Sequence, residues 1–215
     1  MGLVSYGTWK IELYAGECGI NGTADGALKE ARFTFPGHMV RDPVTELIYL
    51  AGKCLRKIHQ WSKRINALPN TCLKDGLVHT GVLIDPTGGL VVLQKTQVLK
   101  YDLSSNNATL EVVAGNETNG AACENCTFID ALFDWLSDAK YILPTILLLV
   151  DTENNQLRLM NMTSEIVTAL MSVGQGSVND NYKRAKLLNT HCLTADETYI
   201  YVGELGPITK ISYAG

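Results

Sequence analysis

Three of the four histidines, His38, His79 and His191, and the carboxylate of Asp134 are side chains that could hold a divalent metal. Imidazole nitrogen and carboxylate oxygen are the ligands zinc takes, and such a site turns reactive when one position is left open. Sulfur is the second reactive element. The six cysteines are Cys18, Cys54, Cys72, Cys123, Cys126 and Cys192, an even number that reads as structural disulfides in an oxidising compartment. Cys123 and Cys126 form a C-x-x-C, but a redox motif of that kind needs a helix start in a βαβ setting, and a zinc knuckle needs a second pair. Neither pattern follows. No G-x-S-x-G elbow, P-loop, H-E-x-x-H or dinucleotide fingerprint is present, so the sequence names no catalytic residue.

Five N-x-[ST] sequons stand at Asn21, Asn107, Asn116, Asn125 and Asn161. All fall in stretches that read as turns or lead loops, where N-linked glycans are tolerated. Together with the cysteines they point to a secreted, extracellular glycoprotein. Residues 1–10 show neither a basic start nor an apolar run of a signal peptide, so the numbering is expected to start inside a longer precursor. The alternative is a cytosolic chain whose sequons stay idle.

These residues have to be positioned by short strands, because the chain repeats. Ala15–Ile58 opens with a Gly-rich turn, passes Asp25-Gly26, Ala31-Arg32-Phe33 and Pro36, and continues into Met39–Val40, Leu47–Leu50 and Leu55–Ile58. The same order returns from Ala114 and from Val173, with a contracted copy from Leu73. Placing Asp42, Asp85, Asp138 and Asp196 in register as the acid ending each first strand gives spacings of 43, 53 and 58 residues. Such periods, several short strands each, are those of propeller blades. In that register His38, Asp134 and Cys192 share one position near the start of the innermost strand, with His79 and His191 just upstream. Innermost strands line a central channel, so His38, His79, Asp134 and His191 could converge there. The plainer reading makes the histidines rim residues with local hydrogen bonds.

The pattern AG-x-G-x-x-x-DG-x-x-x-A-x-F-x-x-P in Ala15–Leu50, closed by N-x-x-L-R in Leu147–Met160, resembles the NHL repeat of β-propellers. The resemblance implies an all-β fold of about four blades, each a three- or four-stranded antiparallel sheet. Approximate blade bounds are 16–65, 66–105, 115–163 and 173–215, within one domain spanning 1–215. Strand 9–15 is expected to complete the last blade near Ile208–Tyr213, or a neighbouring chain. NHL propellers usually have six blades; four make a compact ring, an open arc completed by another chain, or part of a longer protein. Cys54–Cys72 is the favoured pairing, as a clamp between the first two blades; the other pairings stay open.

With 215 residues and 46% hydrophobic content, the chain can bury a sizeable core. A net charge of −4 with interspersed signs offers no broad attraction for nucleic acid. The basic stretch Lys53–Lys63, with Arg64 just beyond, reads as a solvated strand edge. Tyr141–Val150 is too short to span a bilayer and contains Pro144, so it reads as a buried strand. Phe33, Phe35, Phe128, Phe133, Trp135 and Tyr199 read as core aromatics.

The resulting expectation is a non-enzymatic structural, assembly or binding module of an extracellular matrix, appendage or fibril, without a cofactor. Its partners would be further copies of itself or other extracellular proteins, met through strand 9–15 and the blade loops. One alternative is a ligand-sensing or metal-dependent lyase- or hydrolase-like propeller using the channel histidines. A second is a cytosolic NHL interaction scaffold.

Overall fold

The computed structural model describes residues 11–74, 76–118, 120–121, 123–171 and 186–212, and all of their regular structure is β-strand. The strands fall into four antiparallel sheets. Sheet I holds β1 (Gly26–Ala27), β2 (Met39–Arg41), β3 (Ile48–Leu50), β4 (Arg56–His59) and β5 (Arg64–Ala67), in the order β1-β5-β4-β3-β2. Sheet II runs in chain order through β6 (Gly81–Asp85), β7 (Gly89–Leu93), β8 (Gln97–Tyr101) and β9 (Leu110–Gly115). Sheet III repeats the plan of sheet I with β10 (Asn125–Thr127), β11 (Leu136–Leu143), β12 (Ile146–Asp151), β13 (Gln156–Asn161) and β14 (Ile166–Ala169), in the order β10-β14-β13-β12-β11. Sheet IV has β15 (Cys192–Ala195), β16 (Tyr199–Gly203) and β17 (Ile208–Ser212). The opening residues expected for the fourth repeat, 173–185, lie outside the described residues.

The acid that ends the first strand has a mechanical role. Asp85 accepts hydrogen bonds from the Thr87 amide (2.8 Å) and hydroxyl (2.6 Å), and Asp196 accepts from the amides of Thr198 and Tyr199 at 2.8 and 2.7 Å. Asp42 does the same for the Val44 amide and the Thr45 hydroxyl. These are Asx-turns, in which a short carboxylate caps the hairpin backbone. Sheet III departs from the expected register. There the hairpin closes through Pro144-Thr145 with Leu143 opposite Ile146, so Leu143 stands where the acid stands elsewhere and Asp138 lies well inside β11. Pro144 also divides the apolar run 141–150 between two strands instead of leaving it as one.

Burial explains the unalternating stretches. Every residue of β7 is buried and β12 is buried beyond its first residue, because a sheet packs on each side of them. One core lies between sheets I and II around Tyr49, Leu55, Val82, Leu90 and Val92. A second, around Val91, Leu93, Phe133, Leu147 and Leu149, joins II to III, and a third, around Leu148, Val150, Ile200 and Val202, joins III to IV. On the outer side of sheet I, Ala31 of the lead segment packs with Ile58 of β4 and Ile65 of β5 in a small fourth cluster.

Three further expectations change. Ile11–Ala15 forms no strand, and Ile11 is fully exposed; Trp9 and Lys10 lie outside the described residues. Its counterparts in β9 and β14 pair with β8 and β13, whereas among the described residues no strand pairs with Ile11–Ala15. The basic stretch is not a sheet edge, since β4 runs between β3 and β5 and Arg56 is only 3% exposed. Phe35 and Trp135 are exposed, each at a positive φ (50° and 60°) that turns the side chain away from the core.

Candidate binding site along the inner strands

The inner strands stand side by side in sequence: β2 packs beside β6, β6 beside β11, and β11 beside β15. Among the described residues no comparable contact brings β15 back to β2, so the four sheets form an arc. Polar side chains cross from each inner strand to the next. His38, just before β2, places Nδ1 3.0 Å from the Val82 carbonyl oxygen, which makes Nδ1–H the donor and turns Nε2 inward. Nε2 lies 3.7 Å from Asp138 Oδ1 of β11. Asp138 Oδ2 accepts from the Leu193 amide of β15 at 2.9 Å, and Lys140 Nζ donates to Thr194 Oγ1 at 3.3 Å. The inner surface thus carries an imidazole, a carboxylate and an ammonium, each partly held by protein and partly open. Such a row can orient a polar ligand, but it contains no activated nucleophile.

Beside it, Lys100 Nζ lies 2.9 Å from Asp85 Oδ2, which also accepts the Tyr141 hydroxyl at 3.4 Å. Burial alone would raise the Asp85 carboxyl; the Thr87 and Lys100 contacts outweigh it and hold the group below the usual range.

The four metal candidates do not converge. His79 is buried, with Nε2 2.8 Å from the Thr71 carbonyl oxygen and Nδ1 3.4 Å from Gln94 Nε2. It serves as a tie between the segment after sheet I and the turn that follows β7. Asp134 pairs with Lys95 at 3.3 Å, and His191 is exposed with its backbone amide on the Gly203 carbonyl oxygen. Among the described residues no three His, Cys, Asp or Glu side chains gather as a metal site. Each candidate was placed by a register that slips in sheet III, where Asp138, not Asp134, meets His38.

Two disulfides are present, Cys54–Cys72 and Cys123–Cys126. The first is the expected pairing and ties the β3–β4 turn to the segment leading into sheet II. Cys18 and Cys192 are exposed free thiols, so the three bonds expected of six cysteines reduce to two. The lead loop of sheet I and the first strand of sheet IV lie at opposite ends of the arc. Of the sequon asparagines, Asn21, Asn107 and Asn125 are exposed, while Asn116 and Asn161 are half-buried and accept backbone amides through Oδ1.

Residue patterns alone missed a buried pair of arginines. Arg158 and Asp151 are both fully buried and 3.2 Å apart, and Arg56 holds the equivalent place in sheet I, 2.9 Å from Asp25. Burial pushes the Asp151 carboxyl up to about 6, against the Asp134 amide, Asn154 and Arg158. The shared Leu-Arg of Leu55-Arg56 and Leu157-Arg158 was the available signal.

No protein-family model and no curated protein matches the sequence. Solved structures do match. An auxiliary nutrient binding protein from Bacteroides ovatus is 13% identical with a TM-score of 0.70, over 86% of this chain and 50% of that one. An extracellular domain assigned to a one component system of Bacteroides thetaiotaomicron is 13% identical with a TM-score of 0.59, over 87% of this chain and 22% of that one. The streptogramin B lyase structure is 13% identical with a TM-score of 0.51, over 84% of this chain and 55% of that one. The fold is a β-propeller. This chain spans about half the length of the binding protein, and the four sheets are its blades. In propeller terms the row from His38 to Thr194 lies on the channel side, and Arg56 and Arg158 are buried within blades 1 and 3.

Proposed function

We propose that this chain is a non-enzymatic binding or assembly module of a secreted glycoprotein, built on NHL-like blades. The observation that carries this reading is the unpartnered end of the arc. β17 pairs only with β16 among the described residues, and its alternating side chains are exposed or half-buried, with Ile208 77% exposed. Tyr199 and Tyr201, with Lys210 lying over the Tyr199 ring at 3.5 Å, stand on the face of β16 and β17 opposite to Ile200 and Val202. A half-apolar sheet face beside an edge that no other described strand covers suits addition of a further sheet, and a second copy offers one in head-to-tail fashion. The expected strand 9–15 is replaced in this role by blade 4. The exposed sequon asparagines Asn21, Asn107 and Asn125 and two disulfides support the extracellular setting, as does likeness to a protein described as nutrient binding and to an extracellular domain.

The test is secretion from a eukaryotic host, followed by intact mass before and after enzymatic removal of N-glycans and by native mass spectrometry. Glycan mass on several of Asn21, Asn107, Asn116, Asn125 and Asn161, with dimers or longer assemblies, is the expected result. A strictly monomeric product at all concentrations would sink the assembly role, and unmodified sequons with reduced cysteines in natively sourced protein would favour a cytosolic scaffold.

A second reading is favoured by the inward-facing Nε2 of His38 opposite Asp138: a channel site for a small polar ligand or a metal. Purified protein holding less than about a tenth of an equivalent of transition metal would end its metal-dependent form.

A further inference from the structure

Blades 1 and 3 set the same arginine in two chemically different seats. Arg56 donates through Nη1 to the Arg32 carbonyl oxygen at 3.1 Å, and through Nη2 to the Ala24 carbonyl oxygen at 2.7 Å and Asp25 Oδ1 at 2.9 Å. Arg158 repeats the backbone contacts, Nη1 to the Leu132 carbonyl oxygen at 3.3 Å and Nη2 to the Cys123 carbonyl oxygen at 3.2 Å. Both guanidinium groups lie over a phenylalanine, Phe33 at 5.5 Å and Phe133 at 5.4 Å. Two partners differ: Arg158 Nη1 also lies 3.2 Å from the Asp151 carboxylate, and the last partner of Nη2 is not an acid. Where Arg56 has the Asp25 carboxylate, Arg158 Nη2 has Cys123 Sγ at 3.2 Å and Cys126 Sγ at 3.8 Å. A neutral disulfide is a weak acceptor for a guanidinium, whereas a thiolate is an anion and fills the carboxylate's role.

We infer that Cys123–Cys126 is a reversible dithiol–disulfide site, whose reduced form seats a Cys123 thiolate on Arg158 as Asp25 sits on Arg56. Arg158 then supplies the cationic setting that a helix start supplies in other C-x-x-C sites. In the exchange, one sulfur of an external dithiol attacks Cys126 Sγ as a thiolate. The Cys123–Cys126 bond breaks, and Cys123 leaves with the electron pair onto Arg158. The second sulfur of the dithiol then displaces Cys126, which takes up a proton. The protein pair gains two electrons, the dithiol is oxidised to its disulfide, and one of its two protons is released to solvent. Both cysteines are half-buried and Cys126 belongs to β10, the outer edge of sheet III, so a dithiol can reach them. The charged groups around the thiolate are Arg158 from β13, Asp151 from β12 sharing that guanidinium, and Glu124 in the same loop. Asp151 shares the single guanidinium charge through Nη1 and so weakens the stabilisation, while Nη2 keeps its N–H donors on the sulfurs. Cys54–Cys72 has no such support: Cys54 is buried and Arg56 is committed to Asp25.

The folded chain, titrated with dithiothreitol and then labelled by alkylation for mass spectrometry, tests this. Cys123–Cys126 should open at a dithiothreitol concentration at least about tenfold below that opening Cys54–Cys72. In the reduced protein, the alkylation rate of Cys123 against pH should have its midpoint about one unit below that of the exposed Cys18. Arg158→Met should bring the two midpoints together; if that variant does not fold, the wild-type comparison decides alone. Simultaneous opening of both disulfides, or coincident midpoints for Cys123 and Cys18 in the wild-type chain, would overturn the assignment.

Discussion

Arg56 and Arg158 look interchangeable by position, yet the cost of removing each depends on the carboxylate left behind. Asp151 is fully buried, so Arg158→Met strands an uncompensated acid and should destabilise the fold by about 3–5 kcal/mol. The Asp25 side chain is 43% exposed and can turn to water, so Arg56→Met should cost clearly less, about 1–3 kcal/mol. Urea unfolding midpoints of the two variants check the ranking; equal losses would refute the account. Neither role was legible residue by residue. Arg56 stands among Lys53, Lys57, Lys63 and Arg64, and a run of cations reads as solvated until the sheet order places β4 in the interior. Asp138 was equally hidden, because three of four repeats carry their acid in an Asx-turn and nothing local marks the one that does not.

At the scale of single elements, the segment between sheets I and II depends on a histidine expected at a metal. Burial pushes the His79 pKa down and the Thr71 carbonyl only partly offsets this, so the folded protein holds it neutral. The unfolded chain takes up a proton near about pH 6.5, the folded chain only at lower pH. The stabilisation is therefore complete above about pH 6.5 and is lost as pH falls below it. Urea midpoints measured from about pH 8 to pH 5 should decline in that window, and His79→Gln should remove that part of the decline while lowering the starting value. A variant as pH-sensitive as the parent would assign the decline to other groups. The strands themselves were readable, since alternation, Asp-containing turns and unbroken apolar runs each have a physical cause that acts within a few residues. Ile11–Ala15 was not, because alternation shows that a segment can pair and says nothing about whether a partner is there.

The whole molecule is a row of sheets, each made largely from neighbouring hairpins, with two exceptions. Propeller architecture was legible because the repeat writes itself into the spacing of turns; closure was not, because it depends on contacts between the ends. The exceptions are β1, which pairs with β5 through Gly26 and Ile65, and β10, which pairs with β14 through Asn125 and Thr168. Each enters the chain before its sheet and joins it only after four later strands have formed. That gives the molecule an order of assembly: the meanders β2–β5 and β11–β14 can zip up through local contacts, while the lead segments wait and close the longest loops last. Hydrogen exchange should then show amides of β1 and β10 gaining protection after those of β3, β4, β12 and β13 during refolding. Because the lead segment of sheet III also brings Phe128 and Phe133 into the core shared with sheet II, late closure of β10 is the step that completes the packing between these two sheets.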